Sequence, residues 1–524
     1  MSEAWHRLVL ALESTFEKLE TEFHEAYWES QISASPESNR RRAELELELR
    51  RIKGDPEALA QVRHALGEEI HEPILRRQLE VLRLSLTGNQ MADEQRAILV
   101  ETSTAVESDY AAYRPTLGDE AVTENDIEEI LSTSGDPDER RVAWEASKEI
   151  GSRVADRVRE LARLRNDVAR DLGFADYYNF ALALQELDEE WLFEVLGELE
   201  EMTNEPFRRW KDSLDSKLRE KFDTQDLYPW HYDDPFFQVL PSDSKVDVGE
   251  LIDNVDPVAL AERTFEKWDV DLSSVMKRSD LYPRDRKCQH AFCLHVNRAE
   301  DVRILGNVVP GERWVEVMLH ESGHAAYDVS IDPALPYLLR RPAHTFVTEA
   351  IAIMAGRLLR RPDWLTGVAD VDPARVAEIE DDLRTSAAAQ SLLFMRWGLA
   401  VVHFERALYD DPEGDLDERW WDIVERFQLV KRPPGRRAPD WAAKIHVAVA
   451  PAYYQNYLLG EMLASQIERT CLDESGGLVG NAAAGRLLRE RIFRPGSSQR
   501  WDGLVESATG KPLGAADFAA AMTT

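Results

Sequence analysis

Apolar residues that return every three or four positions run through most of this chain. That spacing restricts it to a fold built from helices. The pattern is clear at residues 45–52, 58–66, 74–86, 127–131 and 154–172, where Ala, Leu, Glu and Arg supply high helix propensity. Gly54-Asp55-Pro56, Gly135-Asp136-Pro137 and Arg432-Pro433-Pro434-Gly435 punctuate the helical runs as turns. One region has a different rhythm. Residues 291–296 (AFCLHV) and 302–309 (VRILGNVV) are strand-like and flank a polar stretch, which predicts a small hairpin or edge strand. Pro310-Gly311 then breaks the chain, and a helix is expected from about Glu312. The expected fold class is therefore mainly α. No internal repeat is present. The stretch 227–242, rich in Pro, Asp and aromatics, reads as an ordered loop and as the seam between two halves.

Composition narrows the classes of function. A length of 524 residues corresponds to roughly three to four units at about 150 residues each. With 44% apolar and 31% charged residues, the chain can bury a large core. A net charge of −35 repels phosphates, so neither nucleic acid nor an anionic membrane surface is an expected partner. Solubility is the simplest account of that charge. Three cysteines are too few for a disulfide framework to be the organising principle. The first residues lack the basic start and uninterrupted apolar stretch of a signal peptide, and no run of 18 apolar residues occurs. A soluble, cytoplasmic protein with no obligate protein partner is expected.

The segment beginning near Glu312 carries His320-Glu321-Ser322-Gly323-His324. Two His four apart on a helix lie about 40° apart around its axis and roughly 6 Å along it, so both imidazoles can reach one Zn²⁺. Glu321, beside the first His, is placed to take a proton from water activated there. The competing reading is a surface helix with two incidental His. The apolar flanks Trp314, Val317, Met318 and Leu319 argue for a buried face, on which such groups are costly unless something satisfies them. A catalytic zinc site needs a third protein ligand and an open position. Tyr327 and Ser330 exclude a third His from the same helix. Glu349, a lone carboxylate in the apolar run from Val347 to Met354, is the favoured third ligand, with His344 the alternative.

Beyond these residues, LPYLLRRPAHTFVTEAIAIM after the HESGH helix resembles the peptidyl-dipeptidase A family, the angiotensin-converting-enzyme type of zinc peptidase. AYWESQISAS, ILSTSGDPDERRVAWEASKEIG, NDVARDLGFADYYNF and GSSQRWDGLVESATGKPL resemble family segments in the same order. The thimet oligopeptidase and oligoendopeptidase families share the fold and metal motif. The resemblance implies one metallopeptidase domain over 1–524: a two-lobed helical ellipsoid with a deep central cleft. Residues 1–230 would form a helical lid and wall, and 231–524 the zinc half, with the small hairpin beside the zinc helix. It also implies a second catalytic segment. Lys444 and Tyr454 would hold a substrate's C-terminal carboxylate, and His446 and Tyr457 would donate to the developing oxyanion, with Tyr453 as an alternative tyrosine. Ala291, which with Phe292 matches the family's small-then-aromatic pair at the start of the first strand-like run, would offer backbone groups to an extended peptide.

Three positions depart from the family pattern. The Asp expected four residues after the metal-binding Glu, where it orients a metal His, is Ile353. The Arg tied to chloride activation is Asn456, so chloride dependence is not expected. A strand-borne His is replaced by Cys288. The expectation is a peptidase with one Zn²⁺ per chain, acting on short extended peptides and releasing C-terminal dipeptides. Internal cleavage is the alternative, and a catalytically silent helical binding protein of the same fold is the alternative of a different class.

Overall fold

The structure is a computed structural model that describes residues 2–241, 246–252 and 255–522. Ser242, the last residue of the loop stretch, lies outside them. Among the described residues the chain forms 22 α-helices and two small antiparallel hairpins, so the fold is mainly α. Two of the three turn signals become helix caps, while Arg432-Pro433-Pro434-Gly435 remains a turn between elements. Gly54 closes the helix Pro36–Lys53, and Asp55 opens Pro56–Leu66 by accepting from the Glu57 backbone, with Pro56 in the first turn. Asp136 and Pro137 repeat this device at the start of Pro137–Asp171. Each such cap contributes about 1 kcal/mol and fixes where the helix begins.

The expected hairpin pairs Phe292–His295 with Val302–Leu305, with Phe292 opposite Leu305 and His295 opposite Val302. Its strands are shorter than the β-like runs, and Glu312–Ser330 follows as a helix. A second hairpin, Thr116–Leu117 with Glu120–Ala121, was not expected. Strands of two residues turning about Gly118 (φ 63°) are too short to leave a periodicity.

The chain divides into two compact units, each drawn from three segments. The first is Met1–Gln90, Asp247–Leu383 and Leu459–Asp517; the second is Met91–Val246, Arg384–Leu458 and Phe518–Thr524. In the first, Phe16 and the aliphatic Leu59, Val62, Leu79, Leu82 and Leu339 form a hydrophobic core that seats the N-terminal helix Ser2–Ser33. Tyr27 and Trp28 of that helix also lie against Phe292 of the hairpin, with ring centroids 5.6 and 6.1 Å away. Glu20 anchors the helix through a buried cluster, accepting from Lys53 Nζ (2.6 Å) and Tyr337 Oη (2.8 Å) beside Arg298 (2.6 Å). Burial alone would raise this carboxyl, but Arg298 and Lys53 outweigh it and hold it near 2. The second unit is packed around aromatics instead. Trp144 meets Trp230 and Trp421, and Trp397 meets Phe236 and Trp420. No helix among the described residues is long and apolar enough to cross a membrane.

Candidate metal centre

Two helices of the first unit build the site. Glu312–Ser330 carries His320, Glu321 and His324, and Thr345–Arg357 carries Glu349. They run antiparallel and very close. A Cβ on Gly323 would lie 2.8 Å from Ala352 Cα, and one on Gly356 would lie 3.8 Å from His320 Cβ. Glycine at 323 therefore permits the approach that brings the carboxylate to the imidazoles. His320 Nε2 and His324 Nε2 lie 3.8 and 4.0 Å from Glu349 Oε2, and one ligand atom from each residue falls within 4.8 Å of the others. His344 does something else: its Nδ1 accepts from the Phe346 backbone (3.1 Å) and caps the second helix.

Burial lowers the His320 imidazole to about 4 and His324, which also feels His320, to about 3. Both rings are thus neutral near pH 7, with lone pairs available to a metal. Glu321 is buried, and burial followed by the neighbouring Glu349 carboxylate raises it to about 8, against a hydrogen bond from the Cys293 backbone N–H. A divalent cation beside it would oppose that rise. The hairpin strand thus fixes Glu321 through main chain, which no sequence motif announces. Thr348 was also missed: its Oγ1 lies 2.8 Å from His324 Nδ1. The donor set fits zinc. Two neutral imidazoles and a carboxylate converge, and three protein ligands leave the open position a catalytic ion needs.

The other expected residues, apart from Ala291, belong to the second unit. Ala291 sits half-buried in the first unit, one residue before the strand Phe292–His295. Lys444 Nζ donates to Gln238 Oε1 (2.9 Å) and lies 5.2 and 5.3 Å from the rings of Phe236 and Trp397. Burial lowers this amine to about 8, although Asp234 and Glu124 favour its charged form. Tyr454 Oη accepts from Trp397 Nε1 (3.1 Å). The Tyr454 ring lies 5.4 Å from His446 and 5.5 Å from Tyr457. Burial, then Lys444, lowers His446 to about 4, and its Nδ1 is buried without a hydrogen-bond partner among the described residues. The structure thus groups His446, Tyr454 and Tyr457 and adds Gln238 to Lys444.

This stretch is irregular and is held from outside. Arg165 donates to Ala448 O (3.0 Å), Gln185 to Ala452 O (3.0 Å), and Glu405 accepts from Ala452 N (2.9 Å). Ala452 itself has φ 51°, a left-handed conformation that costs a non-glycine residue about 1 kcal/mol or more. Asn456, where the chloride-linked Arg was expected, donates to Gln185 Oε1 (3.0 Å).

A mainly α chain with HExxH on one helix and a converging Glu on the next has the make-up of a gluzincin-type metallopeptidase. Residues 261–524, half of the chain, match the model of Peptidase family M3, and residues 2–206 match that described as Angiotensin-converting enzyme. The chain belongs to the M3 family, in the group it shares with the angiotensin-converting-enzyme family. Both families are zinc-dependent in general. Among curated proteins, it is 24% identical over 251 residues to an "Inactive angiotensin-converting enzyme-related protein" of Caenorhabditis elegans, covering 46% of this chain and 27% of that one. It is 23% identical over 208 residues to "Angiotensin-converting enzyme-like protein Ace3" of Mus musculus, covering 37% and 28%. The chain thus spans little more than a quarter of the length of these relatives.

Proposed function

We propose that this protein is a zinc peptidase that hydrolyses short, extended peptides, with His320, His324 and Glu349 as the metal ligands. The observation that carries this reading is the convergence of two neutral imidazoles and one carboxylate, with Glu321 held alongside by the Cys293 backbone. When bound, zinc supplies Lewis-acid polarisation of water and of the scissile carbonyl. Glu321 is the general base: it takes the proton of the attacking water and passes it to the leaving amine. His446 and Tyr457 donate to the carbonyl oxygen as negative charge develops there. Lys444 and Tyr454 take the free carboxylate of the substrate, and the backbone at Ala291 lies along the peptide. Under these assignments the products are C-terminal dipeptides. No nucleic acid, membrane or obligate protein partner enters the reaction, chloride dependence is not expected with Asn456 in place of the Arg, and the cytoplasm is the expected compartment.

The test is product analysis by mass spectrometry on peptides with free and with amidated C-termini. Dipeptide release from the free termini alone is the expected result. Equal internal cutting of both would remove the carboxylate roles of Lys444 and Tyr454 and make the protein an oligoendopeptidase. A catalytically silent binding protein is the remaining reading, since one relative carries the word inactive in its name. The presence of His320, Glu321, His324 and Glu349 supports the enzyme instead.

A further inference from the structure

We propose that Thr348 is a positioning residue of the metal centre: its hydroxyl orients the His324 ring. The inference rests on the zinc reading of the triad. Thr348 Oγ1 lies 2.8 Å from His324 Nδ1, while Glu349 Oε2 lies 4.0 Å from His324 Nε2. Adjacent residues on one helix thus address the two nitrogens of the same ring. For Nε2 to present its lone pair to a metal, Nδ1 must carry the proton and donate it to the hydroxyl. The register that makes this contact is fixed by the close approach at Gly323, where a Cβ would lie 2.8 Å from Ala352 Cα.

Position 353 is occupied differently. Ile353 is half-buried, and its Cδ1 would lie 3.2 Å from a Cβ on Gly460, which would also lie 3.3 Å from Glu349 Cβ. An aliphatic contact against the helix Gln455–Ser475 thus stands where a charged orienting group was expected. A hydroxyl partner differs chemically from a carboxylate one. A carboxylate only accepts, so it fixes the tautomer and adds negative charge that strengthens the ligand. A hydroxyl both donates and accepts, and adds no charge, so Thr348 acts through ring orientation alone.

The test is zinc affinity of the full chain, measured by competition with a chromophoric chelator, alongside the melting temperature of the metal-free protein. Thr348→Val keeps the shape and loses the hydroxyl; Thr348→Ala loses it with less bulk; Thr348→Ser keeps it. The expected result is a zinc Kd raised about 10–100-fold in the Val and Ala variants and within about threefold of the parent in the Ser variant, with metal-free melting unchanged. Unchanged Kd in the Val and Ala variants overturns the inference while leaving the peptidase reading intact. Equal weakening in the Ser variant overturns it as well, since the hydroxyl would then not be the cause. A parent protein that takes up no zinc removes the metal reading itself, and this inference with it.

Discussion

The HExxH helix pair and the stretch from Lys444 to Tyr457 differ in how their side chains are held. In the pair, helix geometry sets the spacing of His320 and His324, and one glycine-permitted approach delivers Glu349 and Thr348. In the other stretch, short helical turns and a left-handed Ala452 give little internal constraint. Arg165, Gln185 and Glu405 supply it, each hundreds of positions or tens of positions away in sequence and each bonded to main chain. A site built on regular structure is held by a few local features. An irregular one spreads its support over many residues, so no single support should be decisive.

The largest expected effect tests the base of the first region. Glu321→Gln should lower kcat by about 10²–10⁴-fold with zinc retained, measured with a peptide substrate and by metal analysis. Unaltered turnover would take Glu321 out of the reaction. Tyr457→Phe, in the second region, should lower kcat by about 10²–10³-fold with little change in KM, the signature of a donor that acts in the transition state. A rise in KM alone would make it a binding residue instead.

Gly323→Ala addresses the helix approach directly. The added methyl meets backbone, which cannot move aside cheaply, so a loss of about 1–3 kcal/mol in chemical denaturation is expected, with weakened zinc binding. A variant as stable as the parent would show that the two helices are not held at that contact.

Glu405 gives the smallest effect and the pH dependence. Burial raises its carboxyl from 4.5 to about 8, against the Ala452 N–H and Arg165. Folding favours the neutral form, so this contribution is complete below about pH 4.5 and is lost as pH rises through about 8. Glu405→Gln keeps an acceptor for Ala452 and removes the titration. Relative to the parent, it should gain stability as pH rises from 5 to 9, read from denaturation at the two values. An identical pH profile in both proteins would mean that Glu405 is not buried against its charge.

The same difference explains what the sequence could disclose. Helices came from a three-to-four spacing repeated over many residues, and their ends from Asp and Pro at positions that only a first turn uses, as at Asp55-Pro56. The hairpin beside the metal helix was visible because its strands break that spacing, whereas Thr116–Ala121 was too short to register. His320, Glu321 and His324 are legible because the chemistry and the helix share one period. Thr348 is not: a Thr in an apolar helix has many uses, and only the packing at Gly323 turns it toward His324. Cys293 acts through its backbone N–H, which every non-proline residue has. Arg165, Gln185, Gln238 and Glu405 carry no spacing signal because the contacts they make span long stretches of chain.

Zinc titration of the metal-stripped protein decides whether the triad of the first unit makes this protein a zinc peptidase. Hydrolysis of a short peptide should be absent without metal, rise in proportion to added zinc, and level off at one equivalent, while the Glu349→Ala variant stays at background throughout. Hydrolysis that survives stripping, or its absence at saturating zinc, would rule out zinc catalysis at this triad.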